Sequence, residues 1–495
     1  MSDADFIVVG SGPAGVSAAL ALTEAGRTVL MLDGDRDDPD GDPATADLGP
    51  DNGLSPKLRT PQARRLLARF AEANAIVGEN FLAAGSLARG GLSRIWGGFV
   101  AEFDAGDLKD WPIDQAALAP SYAKIAARVG ISGKSDDAMS AALGASGPLQ
   151  PPLPLGAASA LLLQRHQARK AGGLRLGHAR NALLSRPLEE RSACDLRGAC
   201  LLGCPIGAIY DARQDLKLLR ARDTFRLADG AVVGALSREG GGWRVEATDG
   251  RAFRAPRILL AAGTLASSRL VAPLLPQLSE WRLLSNPTLA TPLLVRGALA
   301  AKRVPSHALA QLAYRLEGEA LLGAVYETRN LPASGFAAQI PLPRRIAEAL
   351  FGFLSPALLV AVTSFPGRFS RNRLSFDSAT GRLTVQGGFE PALDGVEQAA
   401  RKTLARGWRA LGALVLPGER RAMAGTDAHF AGTLPMGGKG VGGTSVLGEI
   451  VGQPGLHVVD GSVLPSLPAR HATLTIMANA NRIATALARG QTAGI

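Results

Sequence analysis

A glycine-rich turn between a predicted strand and a predicted helix constrains the fold of this chain more than any other feature. The apolar run 6–9 predicts a strand, the apolar spacing over 14–25 predicts a helix, and 28–32 predicts a second strand. A strand, helix and strand in this order are typical of a parallel sheet with a crossover helix. We therefore expect a Rossmann-like α/β domain that begins near residue 6.

The turn runs from Gly10 to Gly15 with the spacing G-x-G-x-x-G. Gly10 permits a tight turn, Gly12 lets backbone N–H groups approach a pyrophosphate, and Gly15 lets the helix pack closely on the strand. The helix N-terminus at Pro13 and Ala14 supplies positive partial charge for phosphate. The spacing predicts dinucleotide binding.

Asp33 and Gly34 follow the second predicted strand. An acidic side chain at this point is placed to accept hydrogen bonds from ribose hydroxyls. The turn and the acid together do not separate FAD from NAD.

The length of the chain predicts at least two domains, because 495 residues exceed what one core usually serves. Short alternating strands from about 280 to 390 predict an antiparallel sheet, distinct from the parallel one.

The net charge and its distribution along the chain indicate which classes of binding partner to expect. The net charge is +11, but no run of Lys and Arg reaches five residues, so nucleic acid is not an expected partner. An acidic electron-accepting protein and an anionic membrane surface stay open as alternatives to a merely solvated basic surface.

Location is predicted from two segments. The apolar stretch 349–365 contains Pro356, so a helix followed by a buried strand is expected, with peripheral membrane contact as the alternative. Because Asp3 and Asp5 occupy the place of a basic signal region, we expect a cytoplasmic protein. Association with the membrane surface, or export with a partner, is the alternative.

A second glycine-dense segment surrounds Trp96. Two glycine pairs flank this side chain, so the backbone can lie flat against a large ligand. A glycine-rich surface loop is the alternative, and the residues alone do not decide between the two.

The chain resembles the glucose–methanol–choline (GMC) family of FAD oxidoreductases, in its bacterial saccharide-type branch. The resemblance rests on motifs in a fixed order: the segment 90–98, Trp111-Pro112, the Pro120–Tyr122 stretch, 259–264, 459–465 and Thr475-Ile476. It covers nearly the whole chain. The resemblance implies a discontinuous FAD-binding domain from 1–135, 186–272 and 425–495 and a substrate-binding domain from the remainder, 136–185 and 273–424. It also implies contacts with FAD from Gly91, Ser93, Trp96, Gly97, Gly98, Ala262, Gly263, Asp460, Gly461 and Thr475.

Two of the six histidines are the expected catalytic residues. His429 precedes Gly432-Thr433, where the family keeps its base, and His471 follows Asp460, where relatives carry a second His or an Asn. A neutral imidazole near pH 7 suits removal of a hydroxyl proton, and a second group stabilises the developing alkoxide. The alternative is that either histidine is a packed core residue.

All three cysteines, Cys194, Cys200 and Cys204, lie within eleven residues. Their exclusive clustering predicts shared ligation of one iron–sulfur cluster. The segment resembles FAD-dependent glucose dehydrogenase catalytic subunits, in which three such cysteines hold a 3Fe-4S cluster, whereas other relatives have a further Cys where Arg197 stands. A structural cysteine loop and a zinc site, which would need a fourth ligand, are the alternatives.

The resemblance implies FAD-dependent oxidation of a hydroxyl on a sugar, cyclitol or related polyol to a carbonyl, with hydride passing to flavin N5. A dehydrogenase is expected, with an oxidase as the alternative, and oxygen, a quinone or a protein would reoxidise the flavin. A nicotinamide-dependent reductase and a non-catalytic FAD-binding electron-transfer subunit are the rival functions.

Overall fold

The computed structural model describes residues 2–35, 55–169, 173–200, 203–302, 304–316, 321–329 and 342–492. The helices within these ranges are α1 (Pro13–Glu24), α2 (Pro61–Ala73), α3 (Gln115–Val129), α4 (Ser140–Leu143), α5 (Ala157–Arg169), α6 (Ala212–Arg220), α7 (Thr264–Val271), α8 (Arg344–Leu354), α9 (Ala392–Ala410) and α10 (Thr473–Ala488).

The strands are β1 (Phe6–Val9), β2 (Val29–Leu32), β3 (Ile76–Glu79), β4 (Ile131–Ser132), β5 (Leu149–Gln150), β6 (Leu174–His178), β7 (Phe225–Ala228), β8 (Val233–Glu239), β9 (Gly242–Ala247), β10 (Ala252–Ala255), β11 (Arg257–Leu260), β12 (Glu280–Leu283), β13 (Thr288–Val295), β14 (Leu312–Leu316), β15 (Leu322–Glu327), β16 (Leu358–Ser364), β17 (Asn372–Asp377), β18 (Arg382–Gln386), β19 (Ala413–Val415), β20 (Arg420–Arg421) and β21 (Leu456–Val458).

A parallel sheet with the strand order β21-β11-β1-β2-β7 forms the centre of the first domain. Every residue of β1 and β2 is buried, as expected for strands covered on both faces. The sheet brings strands from opposite ends of the chain together, because β11 pairs with both β1 and β21. The expected Rossmann-like α/β domain is confirmed.

Helix α1 begins at Pro13, whose missing N–H falls where a helix has no internal partner. Its residues from Ala14 to Thr23 are all buried, because α1 packs against α10 from the far end of the chain as well as against its own strands. The helix ends before Gly26, which adopts φ +73°. The two ends of the chain thus share one core.

An antiparallel sheet with the order β19-β13-β16-β15-β14-β6 forms the second layer, and β20 pairs with β13 at its edge. In β13 buried and half-buried residues alternate, so one face packs into a core while the other stays partly open. This sheet confirms the separate antiparallel layer that the alternating strands predicted.

A third sheet has the order β12-β17-β18-β3. Strand β3 belongs to the segment 1–135, whereas its partner β18 belongs to 273–424. The sheet therefore crosses the division that we expected between the two domains, and the exact domain boundaries stay a prediction.

The apolar stretch 349–365 forms the end of α8, a short 3₁₀ turn and strand β16, as the central proline predicted. Among the helices of the described ranges, none is long and apolar enough to cross a membrane.

We predict that Gly15→Ala destabilises the first domain, because a Cβ at this position would lie 1.9 Å from the carbonyl oxygen of Gly10. Crowding of this kind costs about 1–3 kcal/mol. The matched control is Gly352→Ala on α8, where a Cβ meets nothing within 4 Å. Thermal unfolding should show a lower midpoint for Gly15→Ala alone, and an unchanged midpoint would contradict the close packing of α1.

Candidate active site

One cavity of ≈ 580 Å³ lies at the carboxyl-terminal edge of the parallel sheet. Its lining includes the first residues after four of the strands: Gly10 after β1, Asp33 after β2, Ala261 after β11 and Asp460 close behind β21. Parallel strands all end at the same edge, so their following turns converge there. This is the edge at which open α/β sheets bind ligands.

Three helices begin at the cavity. The first residues of α7 and α10, Thr264 and Thr473, line it, and so do Gly12 and Pro13 at the start of α1. The N-terminus of a helix carries unpaired backbone N–H groups and positive partial charge. The cavity is therefore suited to an anionic ligand such as a pyrophosphate.

Two glycine segments approach each other across this cavity. Gly10 has φ +101°, and a Cβ there would lie 2.6 Å from the carbonyl oxygen of Ala261. Gly91 has φ +58°, and a Cβ there would lie 3.1 Å from the Cα of Gly12. A side chain at Gly10 would clash with the turn after β11, and one at Gly91 would crowd the turn at Gly12, so both positions require glycine for this close backbone packing.

The carboxylate of Asp33 is held at the end of β2 by two backbone N–H donors. The amides of Ser11 and Asp35 each donate to it over 3.2 Å. Burial raises the pKa of Asp33 to about 6, against the lowering effect of these hydrogen bonds. The side chain lines the cavity, which places it where the sequence predicted a ribose-binding acid.

Asp460 joins the turn after β11 to the turn after β21. Its carboxylate accepts from the amide of Gly263 over 3.0 Å and from the hydroxyl of Ser462 over 2.7 Å, and the hydroxyl of Ser267 also donates to it. Burial raises the pKa of this carboxyl. The side chain positions two cavity-lining turns through these hydrogen bonds.

The segment around Trp96 forms another wall. The indole N–H of Trp96 donates to the carbonyl of Tyr210 over 2.8 Å, and the ammonium of Lys57 donates to the carbonyl of Trp96. Ser93 accepts from the amide of Ala212 over 3.0 Å. These bonds hold the two glycine pairs in place along the cavity.

Most residues that the sequence predicted for the cofactor line the same cavity. They are Gly10, Gly12, Pro13, Ala14, Asp33, Gly34, Gly91, Ser93, Trp96, Gly97, Gly98, Ala262, Gly263, Asp460 and Gly461. Two others do not line it: Gly15 packs beneath Gly10, and the hydroxyl of Thr475 lies 2.7 Å from that of Tyr122. The assignment of individual cofactor contacts stays a prediction.

His429 and His471 meet inside the cavity, with ring centroids 4.6 Å apart and planes tilted by 49°. The His429 side chain keeps 17 % of its surface accessible, so it faces open space rather than a sealed core. His471 packs edge-on against Phe99, and its Nδ1 lies 3.2 Å from the Phe99 carbonyl oxygen. Since a carbonyl only accepts, Nδ1 of neutral His471 carries the proton and Nε2 keeps its lone pair.

Both imidazoles are held neutral. Burial lowers the pKa of His471 to about 4, and burial together with the charge of His471 lowers the pKa of His429 well below its ordinary value of 6.5. Desolvation penalises the charged form of a base, which is why both pKa values fall. At pH 7 the pair is able to accept a proton.

Asp427 is a site residue that sequence reasoning missed. Its carboxylate accepts from the amides of Asn286 over 2.7 Å and His429 over 3.3 Å, and burial raises its pKa to about 7. The Oδ2 atom lies 3.8 Å from Nδ1 of His429. No local motif marked this residue, because only the pairing of distant segments brings Asn286 to it.

The three cysteines share a small apolar cluster next to Trp96. The sulfur of Cys200 accepts from the amide of Ala308 and that of Cys194 from the amide of Leu196, each over 3.4 Å. Burial raises the pKa of the Cys200 thiol to about 11. Within the described ranges no three Cys, His, Asp or Glu side chains are arranged to hold a metal, so the predicted iron–sulfur cluster receives no support from these residues.

Comparison with known proteins identifies the scaffold. Residues 379–480 match the GMC oxidoreductase family model, and residues 5–37 match an FAD binding domain. Paromamine 6'-oxidase from Streptomyces fradiae is 27 % identical over 98 % of this chain and 91 % of that protein. Pyridoxine 4-oxidase from Mesorbium loti shares the fold, with a TM-score of 0.59 and 16 % identity over 97 % of this chain and 98 % of that one.

We predict that the imidazole of His471 stays neutral from pH 8 down to about 5, because its pKa is lowered to about 4. Nitrogen NMR of protein labelled at histidine should show one protonated Nδ1 and one bare Nε2 that do not titrate in this range. The His471→Asn variant should lack these two nitrogen signals, which assigns them to His471. Titration near 6.5 would contradict the enclosed site.

The same lowered pKa affects stability. An unfolded histidine binds a proton below its ordinary pKa of 6.5, whereas native His471 does not until about pH 4. The unfolded state therefore binds more protons in this window, and stability falls as the pH drops from about 6.5 to 4.

Proposed function

Because the chain belongs to the GMC oxidoreductase family, we propose that it oxidises a hydroxyl on a sugar, cyclitol or related polyol to the carbonyl. The coarser activity follows from the family: the chain is an FAD-dependent oxidoreductase that acts on CH–OH groups. Paromamine, on which the Streptomyces relative acts, supports the narrower class of substrate. The two facing histidines in the dinucleotide cavity are the observation that carries the proposal.

The cavity fits FAD. The turn 10–15 and the start of α1 would hold the pyrophosphate, and Asp33 would hold the ribose. The glycine pairs beside Trp96 leave room for a ring system next to His471. When bound, the isoalloxazine ring of FAD accepts the hydride that leaves the carbinol carbon.

The histidine pair would take the hydroxyl proton. The family resemblance assigns the base to His429 and the assisting role to His471, and we propose this assignment. The hydrogen bond to Phe99 supports a competing one, because it leaves Nε2 of His471 as a free acceptor. In both cases a neutral imidazole removes the proton and the second one contacts the oxygen.

The rival functions receive less support. A non-catalytic FAD-binding subunit would not need two neutral histidines that face open space in the cofactor cavity. A nicotinamide-dependent reductase is disfavoured because the turn segment 5–37 matches an FAD binding domain.

The electron acceptor is proposed only by class: oxygen, a quinone or an electron-accepting protein. Exposed apolar side chains on α8, Ile346 and Phe353, lie beside the basic Arg344 and Arg345. This arrangement supports the prediction of peripheral contact with an anionic membrane surface. Cytoplasmic location and export with a partner likewise stay predictions.

His429→Ala should keep FAD bound and lower turnover by about 10²–10⁴-fold, the usual effect of losing a general base. His178→Ala is the control, since His178 pairs with Asp137 outside the cavity lining. Turnover is measured with an artificial electron acceptor at saturating alcohol. Unchanged turnover in His429→Ala would remove this residue from the mechanism, and a loss confined to His471→Asn would exchange the two roles.

The cysteines should bind no iron, because they form no metal-ligand group among the described side chains. We expect less than about 0.1 iron per chain in protein purified without air, and no cluster signal in low-temperature spin resonance. About three irons and matching sulfide per chain would restore the cluster hypothesis.

A further inference from the structure

One face of the antiparallel sheet forms a wall of the active-site cavity. The residues of β13 and β16 that line it alternate with residues buried in the second core, so this set of side chains faces the open space. The lining residues pair across the sheet in rows: Thr288 with Ser364, Ala290 with Val362, and Pro292 with Val360. We call this surface the sheet wall.

The first row is polar, and hydrogen bonds of a neighbouring residue connect this end of the wall to His429. Thr288 and Ser364 form it, and Asn286, two residues before Thr288, donates through its amide to Asp427. Asp427 in turn accepts from the amide of His429. A hydroxyl that reaches the histidine pair therefore meets hydroxyl and carboxyl groups at this end of the wall.

The next two rows are apolar. Ala290 and Val362 form the second row, and Pro292, Val360 and the ring of Tyr326 form the third, in which Tyr326 pairs with Val360. All five side chains are half-buried and line the cavity, so they are partly accessible and face its interior. Apolar surface in this position gains free energy when it is covered by an apolar ligand.

Two charged residues also line the cavity beside these rows, Glu327 and Arg420. The carboxylate of Glu327 is already engaged, because Ser159 and Ser306 donate to it. Arg420 pairs with Ala290 at the sheet edge, and its side chain is exposed to solvent. Beyond the Tyr326 hydroxyl and the Arg420 guanidinium, the hydroxyls of an ordinary sugar would thus meet few hydrogen-bonding partners on the second and third rows.

We infer that the substrate is amphiphilic: its reacting hydroxyl lies on a polar end at His429 and His471, and an apolar chain or ring extends from it along Ala290, Val362, Pro292 and Val360. This inference rests on the proposed function and narrows its substrate class. A hydrophilic polyol fills only the first row, whereas a polyol or simple alcohol with an apolar substituent covers all three.

The test measures binding separately from turnover. Straight-chain primary alcohols from propanol to octanol are titrated calorimetrically into the FAD-loaded enzyme, which has been reduced beforehand with dithionite under argon so that no oxidation occurs. The matched series is the diols of the same lengths, in which a second hydroxyl ends the chain. The affinity for the alcohols should rise roughly fourfold per methylene, as expected for burial of apolar surface.

Two variants localise the effect. Val360→Asn places a polar group on the third row, so it should flatten the dependence on chain length beyond butanol and leave propanol binding unchanged. Leu414→Asn is the control, because Leu414 lies on β19 of the same sheet, is 40 % exposed and does not line the cavity. It should keep the full dependence on chain length.

Affinity that is independent of length, an equal rise for the diols, or an unchanged slope in Val360→Asn would overturn the inference. Anaerobic bleaching of the oxidised flavin by the same alcohols is recorded in parallel. Bleaching without any dependence on length would reject the amphiphilic substrate while the proposed oxidation stands. A dependence on length without bleaching would support the apolar wall and reject the oxidation of these simple alcohols.

Discussion

The pairing of β11 with β1 on one side and β21 on the other is the interaction on which the rest of the structure depends. These strands come from the start, the middle and the end of the chain, yet their carboxyl ends meet at one edge. The turns that follow them bring Gly10, Gly263 and Asp460 into one cavity. Without this pairing, neither the cofactor site nor the approach of the two histidines could form.

The environment of the two histidines depends on enclosure as much as on position. Burial lowers the pKa of His471 to about 4, lowers that of His429 as well, and raises that of Asp427 to about 7, so it shifts all three ionisable groups toward their neutral forms. A neutral pair of bases beside a carboxyl that is only partly ionised at pH 7 suits removal of a proton from an alcohol. The same environment is poorly suited to a reaction that requires a permanently protonated histidine.

The sequence predicted those parts of the site that depend on short-range geometry. The turn at Gly10 and the acid at Asp33 lie within one strand–helix–strand unit, and the spacing alone specifies their structure. His429 and His471 were found through a family resemblance, and the fold brings their rings together. The structure also confirms the FAD-binding fold and the antiparallel layer that the sequence predicted.

Other parts could not be found from the sequence. Asp427 matters because Asn286 is folded against it, and the two are 141 positions apart. The sheet wall is visible only once the register of β13 with β16 is known, since Ala290, Pro292 and Val360 form no motif. The cysteine spacing suggested an iron–sulfur cluster, whereas packing places the thiols in an apolar cluster without ligand geometry among the described residues.

The visible absorption spectrum of the purified protein, recorded before and after an alcohol is added without air, tests the central claim most directly. The account predicts a yellow protein with about one FAD per chain, whose flavin bands bleach on addition of the alcohol. A colourless protein that remains colourless after incubation with FAD would contradict the cofactor site. A yellow protein whose bands no alcohol bleaches would contradict the oxidation.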